Sequence, residues 1–123
     1  MDHSPGFLKV VNEAKPRVKE ITIEQARIRL QENPDAMLVD VREDSEWAAG
    51  RAAEAQHLGR GVLERDIEKA IPEKRREIIF YCGGGYRSIL AAEVAQRMGY
   101  TNCASMIGGY KGLVAAQWPM KKD

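Results

Sequence analysis

Apolar runs and amphipathic stretches alternate along this chain. Residues 37–41 and 78–81 are largely apolar runs bounded by turn or charged residues, a pattern typical of strands buried on both faces of a parallel sheet. Residues 18–21, 56–58 and 103–106 predict three shorter extended segments. These segments supply the strands of the predicted fold.

Helical patterns fill the intervals between these strands. Residues 22–30 begin with a sequence that fits a capping box, and residues 63–71 place apolar side chains at helical spacing. A further helix is predicted from residue 88 to about residue 98, with brief helices at 45–50 and 110–116. Strands and helices that alternate in this way predict an α/β layered domain with a largely parallel sheet.

The first 18 residues have a helical pattern of their own. Ser4 and Pro5 fit an N-cap and a first helical position, an apolar stripe that includes Val11 follows, and Pro16 should end or kink the helix. We expect an amphipathic arm over residues 1–18 that packs on a domain formed by residues 19–123. A disordered tail is the alternative.

Composition is that of an ordinary globular protein and excludes several classes of partner. The 123 residues are 44% hydrophobic and 30% charged, with a formal net charge of +1. A charge this small provides no field for binding nucleic acid or a membrane surface, so neither is expected as a partner. The chain does not begin with a basic segment and an apolar run, and the default expectation is a cytoplasmic protein.

Neither the cysteines nor the histidines suggest a structural metal. His3 and His57 lie far apart, with no Cys-x-x-Cys pair beside them, and no cofactor or metal is predicted. Cys103 begins a predicted buried strand, where cysteine behaves as a small hydrophobic residue. Its alternative role is a resolving thiol for Cys82.

The segment from Cys82 to Ser88 is the candidate active site. An apolar strand leads into Cys82, which is followed by three glycines, then Tyr86 and Arg87, and then a helix that Ser88 is expected to open. A thiolate is the reactive form of cysteine, and cations, helix N-termini and inward-turned backbone N–H groups all stabilise it. This order predicts a nucleophile in an anion-binding loop at the carboxyl end of a strand.

The order and spacing of three motifs resemble the rhodanese family of sulfurtransferases, specifically its small single-domain members. The resemblance covers the chain from about Lys19 to Trp118. The motifs are Asp40-Val41-Arg42 followed by Glu46, the Cys82-x-x-x-x-Arg87-Ser88 loop, and the turn Gly108-Gly109-Tyr110.

The resemblance implies a three-layer α/β domain around a mostly parallel five-stranded sheet. It also implies that Cys82 is the catalytic residue, which takes a sulfane sulfur from a donor such as thiosulfate and passes it to cyanide or a thiol. The expected partners are thus a small anionic donor, a small acceptor and, as a further option, a sulfur-accepting protein. The loop would bind the substrate through Gly83, Gly84, Gly85, Tyr86, Arg87 and Ser88.

Loop length separates this reading from a cysteine phosphatase. Phosphatases, including those on a rhodanese-like fold, have five residues between cysteine and arginine, whereas four separate Cys82 from Arg87. The shorter loop favours one extra sulfur over a phosphoryl group. Arg87 could bind an anionic donor or close the loop by hydrogen bonds to its carbonyl groups.

Asp40, Arg42 and Glu46 are expected to support the loop rather than take part in the chemistry. The family pattern implies that the aspartate and arginine pair with the acidic residue that follows. A solvent-screened ion pair is the simpler interpretation of the same three residues. Aromatic side chains at Tyr86 and Tyr110 could line the pocket, or pack in the core.

One segment departs from the family pattern. Where the family usually reads His-Ile-x-Gly-Ala, this chain has Arg51-Ala52-Ala53-Glu54-Ala55. The change leaves the local conformation open, and we hypothesise that Arg51 lies near the pocket and attracts an anionic donor. A non-enzymatic function also stays open, in which the protein carries or senses a Cys82 persulfide for a protein partner.

Overall fold

A computed structural model describes residues 3–123. The helices are α1 (Pro5–Ala14), α2 (Ile23–Glu32), α3 (Asp44–Ala49), α4 (Leu63–Ala70), α5 (Arg87–Arg97) and α6 (Gly109–Ala115), with 3-10 turns at Lys15–Arg17 and Arg60–Val62. The strands are β1 (Glu20–Ile21), β2 (Met37–Asp40), β3 (Arg51–Ala52), β4 (Gln56–His57), β5 (Ile78–Tyr81), β6 (Cys103–Met106) and β7 (Met120–Lys121).

Five of these strands form one parallel sheet in the order β1-β6-β5-β2-β4. The central strand β5 is paired on both sides, and in its register with β2, Tyr81 stands opposite Asp40. The predicted α/β domain with a mostly parallel five-stranded sheet is confirmed. Its topology brings Asp40 and Cys82 to the same edge, as expected for the carboxyl ends of neighbouring parallel strands.

Alternate residues of the strands face two separate apolar cores. Val39 and Phe80 pack on one face with α1, α4 and α5, whereas Leu38 and Ile79 pack on the other with α2 and α6. The fully buried strands explain why their sequences read as continuous apolar runs rather than as an alternating pattern. The result is three layers, with the sheet in the middle.

The leading segment is a helix packed on the domain. Ser4 accepts a hydrogen bond from the Phe7 amide, Pro5 occupies the first turn, and Val11 and Ala14 are buried. The alternative prediction of a disordered tail is therefore wrong for the residues that form this helix. Met1 and Asp2 lie outside the described residues, and the division of the chain at residue 18 stays a prediction.

The segment that departs from the family pattern forms a small antiparallel ribbon. Arg51 and Ala52 in β3 pair with Lys121 and Met120 in β7, and the Ala53 amide donates to the Pro119 carbonyl. No sequence pattern predicted this pairing, because each strand is only two residues long. The ribbon fixes the local conformation that the sequence left open.

In the part of the chain that the structure describes, no helix is both long enough and apolar enough to cross a membrane.

Candidate active site

Cys82 follows the central strand directly and lies at the base of a cavity. The residue is 1% exposed, and the cavity that reaches it has a volume of about 440 Å³. A molecule that enters the cavity can approach the Cys82 thiol, and the residues that line the cavity would contact that molecule.

The loop after Cys82 surrounds the sulfur with hydrogen-bond donors. The backbone N–H groups of Gly85 and Ser88 donate to Sγ over 3.2 and 3.3 Å, and the thiol donates to the Ser88 hydroxyl over 3.5 Å. Gly85 has a φ of +100°, a conformation that glycine adopts without strain. The predicted anion-binding geometry is therefore present around Sγ.

The Ser88 hydroxyl contacts a second hydroxyl, that of Ser105. The Ser88 and Ser105 hydroxyl oxygens are 2.8 Å apart, and both residues are almost completely buried. Ser88 does not open α5, which begins at Arg87 with Tyr86 as its N-cap. Ser105 was missed as a site residue, although a polar side chain in an otherwise apolar strand was the signal that could have identified it.

Arg87 is held by Glu46 in a two-point ion pair. Arg87 Nη1 and Nη2 donate to the two Glu46 carboxylate oxygens over 2.8 and 3.1 Å. The hydrogen bonds from Arg87 are the main reason that the pKa of Glu46 falls to about 2, and those to Glu46 raise the pKa of Arg87. The expectation that Glu46 pairs with Asp40 and Arg42 is therefore wrong. The carboxylate of Glu46 instead binds the arginine of the loop.

Asp40 and Arg42 form a separate buried ion pair. Arg42 Nη2 donates to Asp40 over 2.7 Å and to the Gly50 carbonyl over 2.6 Å. The Arg42 guanidinium also stacks over the Tyr110 ring at 4.2 Å. Both charged residues are at most 3% exposed, so the solvent-screened alternative does not describe this pair.

The Gly108-Gly109-Tyr110 turn connects this buried pair to the loop. The Tyr110 amide donates to the Cys82 carbonyl over 2.7 Å, and the Lys111 amide to the Gly83 carbonyl over 3.3 Å. A Cβ atom on Gly109 would collide with the Cys82 carbonyl oxygen. Because Tyr110 packs on Arg42, the buried ion pair supports the backbone of Cys82 without touching Sγ.

The cavity combines predicted and unpredicted residues. Its predicted residues are Glu46, Cys82, Gly83, Gly84, Tyr86 and Arg87, and the unpredicted ones are His3, Phe7 and Lys111. Phe7 belongs to the apolar stripe of α1, and Lys111 directly follows the Gly108-Gly109-Tyr110 turn. Each residue therefore lies in or next to a pattern that is visible in the sequence. Gly85 and Ser88 contact the Cys82 sulfur but do not line the cavity. Tyr110 supports the loop instead of lining the cavity.

Arg51 does not line the cavity. Its guanidinium lies over the Trp47 ring at 4.4 Å and donates to Asp123 over 2.8 Å and to the Trp47 carbonyl over 3.1 Å. The hypothesis that Arg51 lies near the pocket is therefore wrong. A cation that does line the cavity, and that no sequence pattern predicted, is Lys111.

Cys103 lies too far from Cys82 to act on it. Cys103 pairs with Ile78 at the start of β5, whereas Cys82 follows the end of that strand. At about 3.3 Å per residue, the backbone positions of the two cysteines are separated by roughly 13 Å along the strand direction. Burial also raises the pKa of Cys103 to about 12. Both properties fit a core residue.

His57 has a structural position in β4. Its Nε2 lies 2.8 Å from the Arg42 carbonyl oxygen, and its ring stacks on that of Trp47. Among residues 3–123, no cluster of three or more histidine, cysteine, aspartate or glutamate side chains could hold a metal ion.

The family model described as "Rhodanese-like domain" matches residues 22–116. This chain belongs to that family. A sulfurtransferase of Allochromatium vinosum is 33% identical over 92 residues, which cover 75% of this chain and 84% of the relative.

Two solved structures add detail. The polysulfide-sulfur transferase homodimer of Wolinella succinogenes is 26% identical, with a TM-score of 0.81 and coverage of 96% of this chain and 88% of that one. A Rhodopseudomonas palustris protein of unknown function, described as a possible tyrosine phosphatase, is 28% identical, with a TM-score of 0.85 and coverage of 98% of both chains. The Allochromatium vinosum and Wolinella succinogenes proteins are both named for sulfur transfer, and this supports sulfur transfer as the general role.

Proposed function

We propose that this protein is a sulfurtransferase that moves a sulfane sulfur through a Cys82 persulfide. The donor is thiosulfate or a persulfide, and the acceptor is cyanide or a thiol. The observation that carries the proposal is the set of donors around Sγ, in which the Gly85 and Ser88 amides lie within 3.3 Å of the sulfur. These groups stabilise negative charge on sulfur before and after transfer.

With thiosulfate, the reaction consists of two displacements at sulfur. The Cys82 thiolate attacks the outer sulfur of the donor, the sulfur–sulfur bond of the donor breaks, and sulfite leaves with the bonding electron pair. Cyanide then attacks the outer sulfur of the persulfide, which forms thiocyanate and restores the thiolate. Neither leaving group requires a proton, so the mechanism needs no general acid.

The supporting residues act on geometry rather than on the reacting atoms. The Asp40–Arg42 pair positions Tyr110, whose amide holds the Cys82 carbonyl. Glu46 orients Arg87 at the rim of the cavity. Because hydrogen bonds hold its backbone, Cys82 keeps its position when its side chain gains the outer sulfur and when it loses that sulfur to the acceptor.

Mass spectrometry of the protein after incubation with thiosulfate tests the covalent intermediate. We expect an adduct with the mass of one sulfur atom that cyanide removes and that Cys82→Ser does not form. Cys103→Ser is the matched control and should form the adduct. An adduct that persists in Cys82→Ser would contradict the proposal.

Turnover separates an enzyme from a persulfide carrier. Thiocyanate production on the order of 1–1000 per second, the usual span of enzyme rates, supports the enzyme. One sulfur loaded per chain with negligible turnover would instead support a carrier or sensor for a protein partner.

Phosphate ester hydrolysis is disfavoured by the position of Arg87. A phosphatase arginine must bind phosphoryl oxygens, but both terminal nitrogens of Arg87 are bonded to Glu46. We expect no hydrolysis of an aryl phosphate at high protein concentration. Hydrolysis that Cys82→Ser abolishes would favour the phosphatase.

A further inference from the structure

The helix that carries Glu46 has little to hold it in place by itself. No residue of α3 is buried, and the helix is only six residues long. A helix this short is not stable in water unless other parts of the chain hold it. The position of Glu46 therefore depends on the contacts that neighbouring segments make with α3. Trp47, the residue after Glu46, has the largest side chain for such contacts.

The Trp47 ring stacks on the ring of His57, which lies in the edge strand β4. The two ring centroids are 4.6 Å apart, and the ring planes differ by only 10°. The Arg51 guanidinium lies over the same indole at 4.4 Å. Stacked rings of this kind bury apolar area and favour one mutual orientation. The stack thus holds α3 against the edge of the sheet.

The backbone in turn fixes the His57 ring. Its Nε2 lies 2.8 Å from the Arg42 carbonyl oxygen, and because a carbonyl only accepts hydrogen bonds, Nε2 carries the proton. The Asp44 carboxylate lies 3.8 Å from Nδ1 but is fully exposed, so this contact contributes little. His57 therefore joins the segment just before α3 to the Trp47 ring within α3.

Glu46 connects α3 to the Cys82 loop. Its carboxylate accepts hydrogen bonds from both terminal nitrogens of Arg87. This ion pair lies against the loop backbone, because a Cβ atom on Gly83 would come within 2.9 Å of Arg87 Nη2. Arg87 also precedes Ser88, whose amide donates to Sγ over 3.3 Å. A displacement of α3 would move an ion pair that contacts both ends of the loop.

We infer that His57 is a positioning residue for sulfur transfer and that it acts through Trp47 and Glu46. The inference rests on the proposed function. His57 does not line the cavity, so it acts on the geometry of the loop rather than on the donor. Its stack with Trp47 holds α3 where Glu46 meets Arg87 at two points. The loop amides then keep the distances to Sγ that stabilise negative charge during transfer.

A double-mutant cycle on thiocyanate formation from thiosulfate and cyanide tests this inference. The variants are His57→Ala, Glu46→Gln and the combination of the two. His57→Ala should lower kcat roughly fivefold and leave the KM for thiosulfate unchanged, because the stack is lost while the cavity wall is intact. In the Glu46→Gln background, His57→Ala should lower kcat by less than about twofold, since the two-point ion pair through which it acts is already lost.

Gln56→Ala is the matched control for His57→Ala. Gln56 is the other residue of β4, and its side chain is exposed. This variant should keep the wild-type kcat and KM.

Quenching of tryptophan fluorescence by acrylamide measures the stack directly. The chain has two tryptophans, and Trp118 is only 6% exposed, so the quenchable signal comes mainly from Trp47. We expect stronger quenching in His57→Ala than in the wild type, because the substitution uncovers the indole. Gln56→Ala should be quenched to the same extent as the wild type.

Trp47→Leu removes the same stack from the side of α3 and provides a second cycle if His57→Ala does not fold. It should lower kcat to a similar extent and lose most of this effect in the Glu46→Gln background.

Equal falls in kcat in the wild-type and Glu46→Gln backgrounds would overturn the inference, since His57 would then act independently of Glu46. An unchanged kcat, or a higher KM in place of a lower kcat, would also overturn it, as would unchanged quenching in His57→Ala. Absence of thiocyanate formation by the wild type would instead overturn the proposed function.

Discussion

Glu46 and Arg87 are 41 positions apart in the chain, and their side chains form a two-point ion pair at the rim of the Cys82 cavity. Glu46 comes from α3 and Arg87 from the first turn of α5. The pair connects the segment after β2 to the loop after β5. It also offsets a positive charge that would otherwise be available to an anionic donor.

This ion pair predicts a specific dependence of stability on pH. The pKa of the Glu46 carboxyl is lowered from 4.5 to about 2, so its contribution to stability is complete above about pH 4.5 and is lost as pH falls toward 2. We expect wild type to be more stable than Glu46→Gln at pH 6. The difference should be under about 1 kcal/mol, because the pair is partly exposed, and should shrink between pH 4.5 and 2.

Urea unfolding of both proteins at a series of pH values measures this difference. Using the variant as the reference removes the contribution of other carboxyl groups that titrate in the same range. A difference that stays constant from pH 6 to pH 2.5 would show that the pair does not contribute through the charge of Glu46.

Lys111 should bind the anionic group of the donor. We expect Lys111→Ala to raise the KM for thiosulfate severalfold at low salt, with a smaller effect at high salt, because added ions screen the charge at the rim. Arg51→Ala is the control, since Arg51 is paired with Asp123 and lies outside the cavity. Steady-state kinetics at two ionic strengths provide the measurement, and equal effects of the two substitutions would contradict the assignment.

We predict that the Ser105 hydroxyl positions the Ser88 hydroxyl, since the two oxygens are 2.8 Å apart. Ser105→Ala should lower kcat about fivefold and leave KM for the donor largely unchanged, because it removes a buried hydrogen bond behind the sulfur rather than a contact with the donor. Ser105→Thr retains a hydroxyl group and should restore most of the rate.

Cys103→Ala is the matched control for Ser105, since it changes a buried residue of the same strand at the end remote from the site. Steady-state kinetics of the three variants check the prediction. An equal fall in kcat for Ser105→Ala and Cys103→Ala would indicate a general loss of packing and remove the assigned role.

Gly109 is the residue at which a side chain should be least tolerated. Its φ is +52°, and an added Cβ would collide with the Cys82 carbonyl oxygen. We expect Gly109→Ala to lower the free energy of unfolding by about 1–3 kcal/mol and to reduce activity by displacing the nucleophile.

Gly61→Ala should change both properties little, because no atom lies within 4 Å of an added Cβ there. Denaturant unfolding and thiocyanate formation measure the two effects. Stability of Gly109→Ala equal to that of Gly61→Ala would contradict the assignment of the turn as a support for Cys82.

The elements of the fold were predictable from local sequence. The apolar runs of β2 and β5, the capping box of α2 and the glycine-rich segment after Cys82 are each determined by residues close together in the chain. Short-range sterics and hydrogen bonding control such features, and burial on both faces of a sheet selects continuous apolar runs. The nucleophile and its loop were therefore proposed from the sequence alone.

Tertiary structure alone decided which charged and aromatic side chains meet. The sequence places Glu46 close to Arg42, but the fold pairs it with Arg87. The sequence suggested that Arg51 lies near the pocket, but its side chain forms an ion pair with Asp123 instead. Long flexible side chains find partners according to how helices and strands pack, and sequence separation does not predict that packing.

The same division applies to the cavity. The sequence by itself determined that Cys82 follows a buried strand, that a glycine-rich loop surrounds it and that an α/β frame presents both. Only the packing of α1 placed Phe7 and His3 beside Tyr86, and only the turn before α6 placed Lys111 at the rim. The hydrogen-bond donors around Sγ are local because the amides of one loop supply them, whereas the wall of the cavity consists of residues that the fold brings together from distant parts of the chain.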